Sequence, residues 1–451
     1  MEKSTAEKAL SLNLLKPLYG SIAEIGAGQE VSRWFFKVGG AAGTIAKAMS
    51  AYDMTFSDDI YGREDSGRYV VESRVQKMID HEYSLLESRL SDEINKEKFF
   101  FAFADTVAAK SFKYKGDCHG WMAVKFQKTP TEKPSQVILH VRMLDNTNLH
   151  QQEALGALGV NLIYACYNHT DNLEDFLVSL FDGDLRDRLE INVVRFEGPQ
   201  FKDVDQTQVN LLLFKNNLTH TILIPAQNSV SHLAEEFYEK QVIIHRGQFD
   251  PPLQTDIDIL RSARDHYCSE KTEGFCDPYL VSEVYFNRET DQFDDLLRKV
   301  SMLKKCNQNI LVTDFERTFK LTEYVAQFTN NHINVVFRAT KVINILENER
   351  LASLDRLARI FNERTRMYIY PVDAAKVPKK LQKDSNLELF NLSNYKPSDL
   401  NINLYKHLIA SEYIQELTNY KPDLAKWDME SMAELKNKDK KAWESLLACE
   451  V

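Results

Sequence analysis

LVSEVYFNRETDQFDDLLRKVSMLKKCNQNILVTDF (280–315) decides the fold. It opens on an apolar run, LVSEVYF, passes through polar turn residues, and ends on a second apolar run, NILVTDF. Between the two, Phe293, Leu296, Leu297, Val300 and Leu303 recur at helical spacing. Runs that are apolar along most of their length are strands buried on both faces, and strands separated by helices pair in parallel. The stretch is therefore a βαβ unit, and the chain repeats it.

Apolar runs of the same kind are VILHVRML (137–144), VNLIYACY (160–167), INVVRF (191–196), HTILIPA (220–226), QVIIHRG (241–247), INVVFRA (333–339) and RMYIYPV (366–372). Amphipathic segments such as ERTFKLTEYVAQFT (316–329) and TKVINILENERLASLDRLARIF (340–361) lie between some of them. This pattern predicts a βα-repeat domain over 137–373, either a (βα) barrel or a doubly wound parallel sheet. Before it, FFFAFADTVAAKSF (99–112) and GWMAVKFQ (120–127), punctuated by Gly and Pro, predict a short antiparallel β meander over 98–136. Residues 1–97 read as a helical N-terminal region, in which Val71, Val75, Met78, Ile79 and Leu86 form one apolar stripe. Past Pro371, a lysine-rich linker and a charged helical tail occupy 374–451. The fold class is α/β.

A chain of 451 residues with 43% hydrophobic and 27% charged residues has ample material for two or three domains. Its net charge of −10 opposes the basic footprint of a general nucleic-acid binder. Nothing approaches the roughly 20 apolar residues of a membrane span, and Glu2 and Glu7 make the start a poor secretory signal. The six cysteines form no CxxC pair, so reduced thiols in a cytoplasmic protein are expected.

Parallel sheets gather ligands at the carboxyl ends of their strands. Polar residues there are Arg142 and Asp145, Glu197, Gln227 and Asn228, His245 and Arg246, Glu283, Asp314 and Arg338. His245, Glu283 and Asp314 are the candidate catalytic groups, for proton transfer or for holding a divalent metal; Arg246, Arg338 and Arg142 are candidates for binding an anionic small molecule. In KVGGAAGTIAKAMSAYD (37–53), Gly39, Gly40 and Gly43 are expected to lead into a helix near Thr44, with Lys47 one turn on. That arrangement suits a phosphate or carboxylate, although it lacks P-loop spacing. In DCHGW (117–121), Cys118 and His119 are neighbours that a strand would point to opposite faces, which leaves His119 as a second-tier candidate and a possible partner for Asp105.

Two stretches resemble known motifs. EIGAGQE (24–30) is similar to the first motif of S-adenosylmethionine-dependent methyltransferases. VIIHRGQFDPPLQTD (242–256) resembles the opening of the adenylyltransferase motif GxFDPxHxGH, matching at Gly247, Phe249, Asp250 and Pro251. The two histidine positions fall on Leu253 and Asp256, so the groups that grip phosphate in that family are absent. Read together, the stretches from EIGAGQE to VNLIYACY resemble an uncharacterised bacterial protein family whose members carry labels such as nicotinate-nucleotide adenylyltransferase or TonB-dependent receptor. The second label implies alternating ten-residue barrel strands, which the sequence lacks.

The leading functional expectation is a cytosolic enzyme acting on a phosphorylated or nucleotide-like small molecule at the rim of the βα region. A non-catalytic interaction protein and a methyltransferase are the alternatives. Neither nucleic acid nor membrane is an expected partner.

Overall fold

The computed structural model describes residues 3–90, 96–111, 117–249, 252, 254–269, 277–338, 364–370 and 387–389. The chain divides into two compact units, Met1–His220 and Thr221–Val451. The expected boundaries at 97 and 136 fall inside the first unit.

The first unit contains α1 (Thr5–Asn13), β1 (Leu18–Ile25), α2 (Glu30–Val38), β2 (Ile45–Met49), α3 (Met54–Tyr61), α4 (Glu72–Arg89), β3 (Phe99–Ala108), β4 (His119–Phe126), β5 (Ser135–Met143), α5 (Asn148–Asn168), α6 (Leu173–Ser179), β6 (Leu189–Glu197) and α7 (Gln206–Lys215). Its sheet runs β2-β1-β3-β4-β5-β6. β1 pairs in parallel with β2 and β3, and the rest is antiparallel. The meander is thus present, but it continues through β5 and β6, which had been assigned to the parallel repeat. The region expected to be helical supplies two of the parallel strands.

VNLIYACY is not a strand. It lies within α5, which is buried from Ala154 to Cys166. A helix apolar on every side has no stripe, so its sequence resembles a buried strand. Gly156 and Gly159 let α2 come close: a Cβ on Gly156 would stand 2.6 Å from the Glu30 Cβ, and one on Gly159 would stand 2.3 Å from Val31 Cγ2.

The second unit contains β7 (Thr221–Ile224), α8 (Leu233–Glu236), β8 (Val242–Gly247), α9 (Gln254–Ser269), β9 (Tyr279–Tyr285), α10 (Phe293–Lys305), β10 (Ile310–Thr313), α11 (Thr318–Val325), β11 (Ile333–Arg338), β12 (Thr365–Tyr370) and β13 (Leu387–Leu389). The sheet order is β13-β12-β11-β8-β9-β10-β7, parallel except for β7. From β8 the chain steps outward through β9 and β10, then returns to the other side of β8 with β11. That is the doubly wound order 3-2-1-4-5-6 with one antiparallel strand added, so the sheet is open and the barrel alternative falls. Alternation along the strands separates two cores. Ile244, Val281, Leu311 and Val335 pack with Leu321 and Val325 of α11. Ile243, Val336 and Tyr368 pack with Ile259, Leu260 and Ala263 of α9.

Segment 340–361 and most of the expected tail over 374–451 lie outside the described residues. Among those described, no helix is long and apolar enough to cross a membrane. Cys118, Cys166 and Cys306 are free, but Cys268 is disulfide-bonded, which corrects the expectation of reduced thiols throughout.

Two carboxyls face each other within the first sheet, because Glu24 of β1 is the register partner of Asp105 of β3. Glu24 accepts hydrogen bonds from the Val31 and Ser32 amides (2.8 and 3.1 Å), and Asp105 accepts one from the Ile25 amide (2.9 Å). Burial, then the adjacent Glu24, holds the Asp105 carboxyl well above its ordinary pKa; burial also raises Glu24 against its hydrogen bonds. A carboxyl that binds its proton more tightly folded than unfolded loses stability as pH rises from the ordinary carboxylate range toward the raised value. Asp105→Asn should therefore melt above the parent protein at about pH 8, with the gap narrowing at about pH 5. Circular dichroism melts check this; a pH-independent gap would contradict it.

Candidate functional site

In a doubly wound sheet the ligand crevice opens where successive strands depart to opposite sides. Here that point lies between β8 and β11, paired from Val242–Ile333 to His245–Val336. His245 is 1% exposed and faces α9. Its Nε2 stands 3.3 Å from Oδ1 of Asp256, in the first turn of α9. The Phe249 ring meets the imidazole edge-on, with centroids 5.6 Å apart. Gly247 permits that fold-back, since a Cβ there would sit 2.7 Å from the Phe249 ring, and Phe249 takes a left-handed φ of 47°.

A carboxylate on Nε2 fixes the tautomer: Nε2 carries the proton and donates, leaving the Nδ1 lone pair as the acceptor. Nδ1 is buried and has no hydrogen-bond partner among the described residues. Asn334, fully buried on β11 and two residues before the His245 register partner, shares this face of the sheet. Both Oδ1 and Nδ2 of its side chain also lack partners among the described residues. Each such orphaned group costs about 1–3 kcal/mol, and a bound molecule or buried water would satisfy it. Sequence reading passes over Asn334 and meets Asp256 only at a motif-histidine position. An Asn inside the apolar run INVVFRA was the available signal for the first.

The expected convergence of four charged strand ends is not what the geometry shows. Arg246 and Glu283 point to the opposite face from His245. Arg246 clamps Glu283 through Nε (2.6 Å) and Nη2 (2.9 Å), donates to the carbonyls of Phe315 and Glu316, and lies over Tyr285; Thr313 also donates to Glu283. Their side chains are 7% and 0% exposed, so each neutralises the other inside the core. Asp314 is held by Arg288 at 3.0 Å. Arg338 ends β11 opposite Tyr370. Among the described residues no three His, Cys, Asp or Glu side chains gather as metal ligands.

In the first unit, the glycine segment is a turn rather than a helix start. Gly39 caps the end of α2, Gly40 and Gly43 belong to a short 3-10 turn, and the chain then enters β2. Thr44 donates its hydroxyl to the Asn13 carbonyl. Parallel pairing with β1 overrides the helical propensity of IAKAM, and Lys47 points to Glu82 at 2.7 Å. The expected helix dipole is therefore missing at this place. EIGAGQE does join a strand to a helix, but the Val31 and Ser32 amides at the head of α2 are taken by Glu24.

Asp105 is not the partner of His119. His119 Nδ1 lies 3.0 Å from His140 Nε2, and His140 Nδ1 lies 3.3 Å from Asn192 Oδ1. Asn192 Nδ2 donates to Thr219, Thr219 donates to Glu190, and Arg142 bridges Glu190 (2.7 Å) and Asp117 (2.9 Å). Since the Asn192 amide nitrogen donates to Thr219, its oxygen accepts, so His140 donates from Nδ1 and receives from His119. Burial lowers the His119 pKa, and Arg68 and Arg142 add to this against Asp117. Arg142 thus cements strands β4 to β6. Of the remaining strand-end residues, Asp145 pairs with Arg188, Glu197 accepts from Gln136, and Gln227 donates to Asn307.

No protein-family model matches this chain, and no curated protein matches it. Among solved structures, a competence/damage inducible protein, CihA, from Agrobacterium tumefaciens is similar at 18% identity, over 37% of this chain and 98% of that one, with a TM-score of 0.27. A competence or damage-inducible protein from Enterobacter asburiae gives 13% identity, over 36% and 98%, at 0.27. A CinA superfamily protein from Escherichia coli gives 10%, over 35% and 86%, at 0.25. Likeness at that level carries no functional argument.

Removing Arg246 leaves the Glu283 charge buried and alone. Arg246→Met should lower unfolding free energy by about 3–5 kcal/mol, and adding Glu283→Leu should restore most of it. Urea denaturation decides; a loss below about 1 kcal/mol would mean the pair is already solvated.

Proposed function

We propose that the carboxyl rim of the second sheet is the active site of an enzyme that acts on a phosphorylated or nucleotide-like small molecule. His245 serves as general base through Nδ1, and Asp256 holds the ring in the required tautomer. The reading rests on one observation: a buried imidazole at the switch point with a carboxylate on one nitrogen and, among the described residues, no partner on the other. A base so oriented accepts a proton from whatever donor enters the crevice. Arg338, the last residue of β11 on the same rim, is the anion-binding candidate. Arg246 and Glu283 form the frame beneath.

Thermal melts with adenosine monophosphate, NAD and sugar phosphates test the reading. A true ligand at a hundredfold excess over its Kd should add about 2.7 kcal/mol of stability. His245→Gln should fold and lose that gain. If no compound shifts the parent protein, or the variant shifts equally, the crevice is not the site.

A further inference from the structure

Ser282 of β9 is the register partner of His245 of β8. Partners on paired strands emerge on the same face, about 4.8 Å apart. The packing shows which face that is. Leu280, two residues before Ser282, joins the cluster of Ile243, Val336 and Ile259 of α9, whereas Val281 belongs to the core on the other side. Ser282 therefore stands under α9 beside the imidazole, and both residues are 1% exposed. The same helix supplies Asp256, whose Oδ1 lies 3.3 Å from Nε2 of His245. Two strands and a helix thus bring a serine, a histidine and an aspartate to one face of the sheet.

We propose that Ser282 is the nucleophile of this site and that it attacks the phosphorus of a phosphate monoester. The assignment rests on the reading of His245 as the base and names the group from which Nδ1 takes its proton. Nδ1 is buried with no hydrogen-bond partner among the described residues, and a buried hydroxyl in turn needs an acceptor. The two are not bonded in this structure. Rotation about the Ser282 Cα–Cβ bond swings Oγ between staggered positions, and such pairs often close only once substrate is bound. With Asp256 keeping the ring proton on Nε2, the ring acts on Oγ through Nδ1. In the first half-reaction the Oγ–P bond forms, the P–O bond to the alcohol breaks, and the Oγ proton passes by way of Nδ1 to the departing oxygen. In the second, water gives a proton to Nδ1 as its oxygen attacks phosphorus, the Oγ–P bond breaks, and that proton returns to Oγ. Ester and water become alcohol and phosphate, with no further reactant.

Diisopropyl fluorophosphate added to the full chain tests the proposal, because the same attack expels fluoride and leaves the phosphoryl group on Oγ. Mass spectrometry should find one label per chain, at Ser282. Ser282→Ala should melt close to the parent protein and take no label, and His245→Gln should be labelled about a hundredfold more slowly. Thermal melts with nucleotides and sugar phosphates, run alongside, separate two kinds of failure. Stabilisation of the parent protein without a label at Ser282 overturns the nucleophile and leaves the base reading in place. A Ser282 label that His245→Gln does not slow overturns the pairing of the two groups. Neither label nor stabilisation overturns both.

Discussion

The second unit depends on the parallel pairing of β8 with β11. These strands are far apart in sequence, and two βα units intervene before the chain returns to the free edge of β8. That return makes β8 and β11 the switch point of the sheet, where ligands of such folds bind, and sets the face on which each side chain emerges. His245 goes toward α9, where Asp256 meets it. Arg246, one residue on, goes to the other face and finds Glu283. A shift of one residue in the β8–β11 register would exchange the two, burying an arginine under α9 and separating the imidazole from its carboxylate.

Polar groups in the two units differ in how fully they are satisfied. Arg246, Glu283 and Thr313 form a closed set, as do Arg142, Asp117 and Glu190. Such sets bring specificity of arrangement and leave nothing to offer a ligand. His245 and Asn334 are different because each keeps bonding capacity that no described residue uses, in a place where leaving it unused is costly. Tyr83 and Tyr167 show the same condition in the first unit.

That distinction explains what the sequence made legible. The βαβ reading of 280–315 was right because buried strands and an amphipathic helix have different periods, and β7 to β12 all fall on runs read as strands. α5 misled because burial on all sides erases its period. IAKAM misled because pairing with β1 decided its conformation. For the site, strand-end position drew attention to His245, but direction was invisible: two adjacent residues on one strand face opposite ways, so His245 and Glu283 could not share a hollow once Arg246 and Glu283 were register partners. Asp256 was noticed only as a missing histidine, since its contact with His245 exists only when α9 folds back over the strand. Asn334 looked like a blemish in an apolar run.

The account stands or falls on the protonation of one ring. Nitrogen-15 NMR of the His245 imidazole at neutral pH reads it directly. We predict that the ring carries its proton on Nε2, with an Nδ1 resonance that moves when a nucleotide or phosphate compound is added. A ring protonated on Nδ1, or an Nδ1 signal indifferent to every such compound, would contradict it.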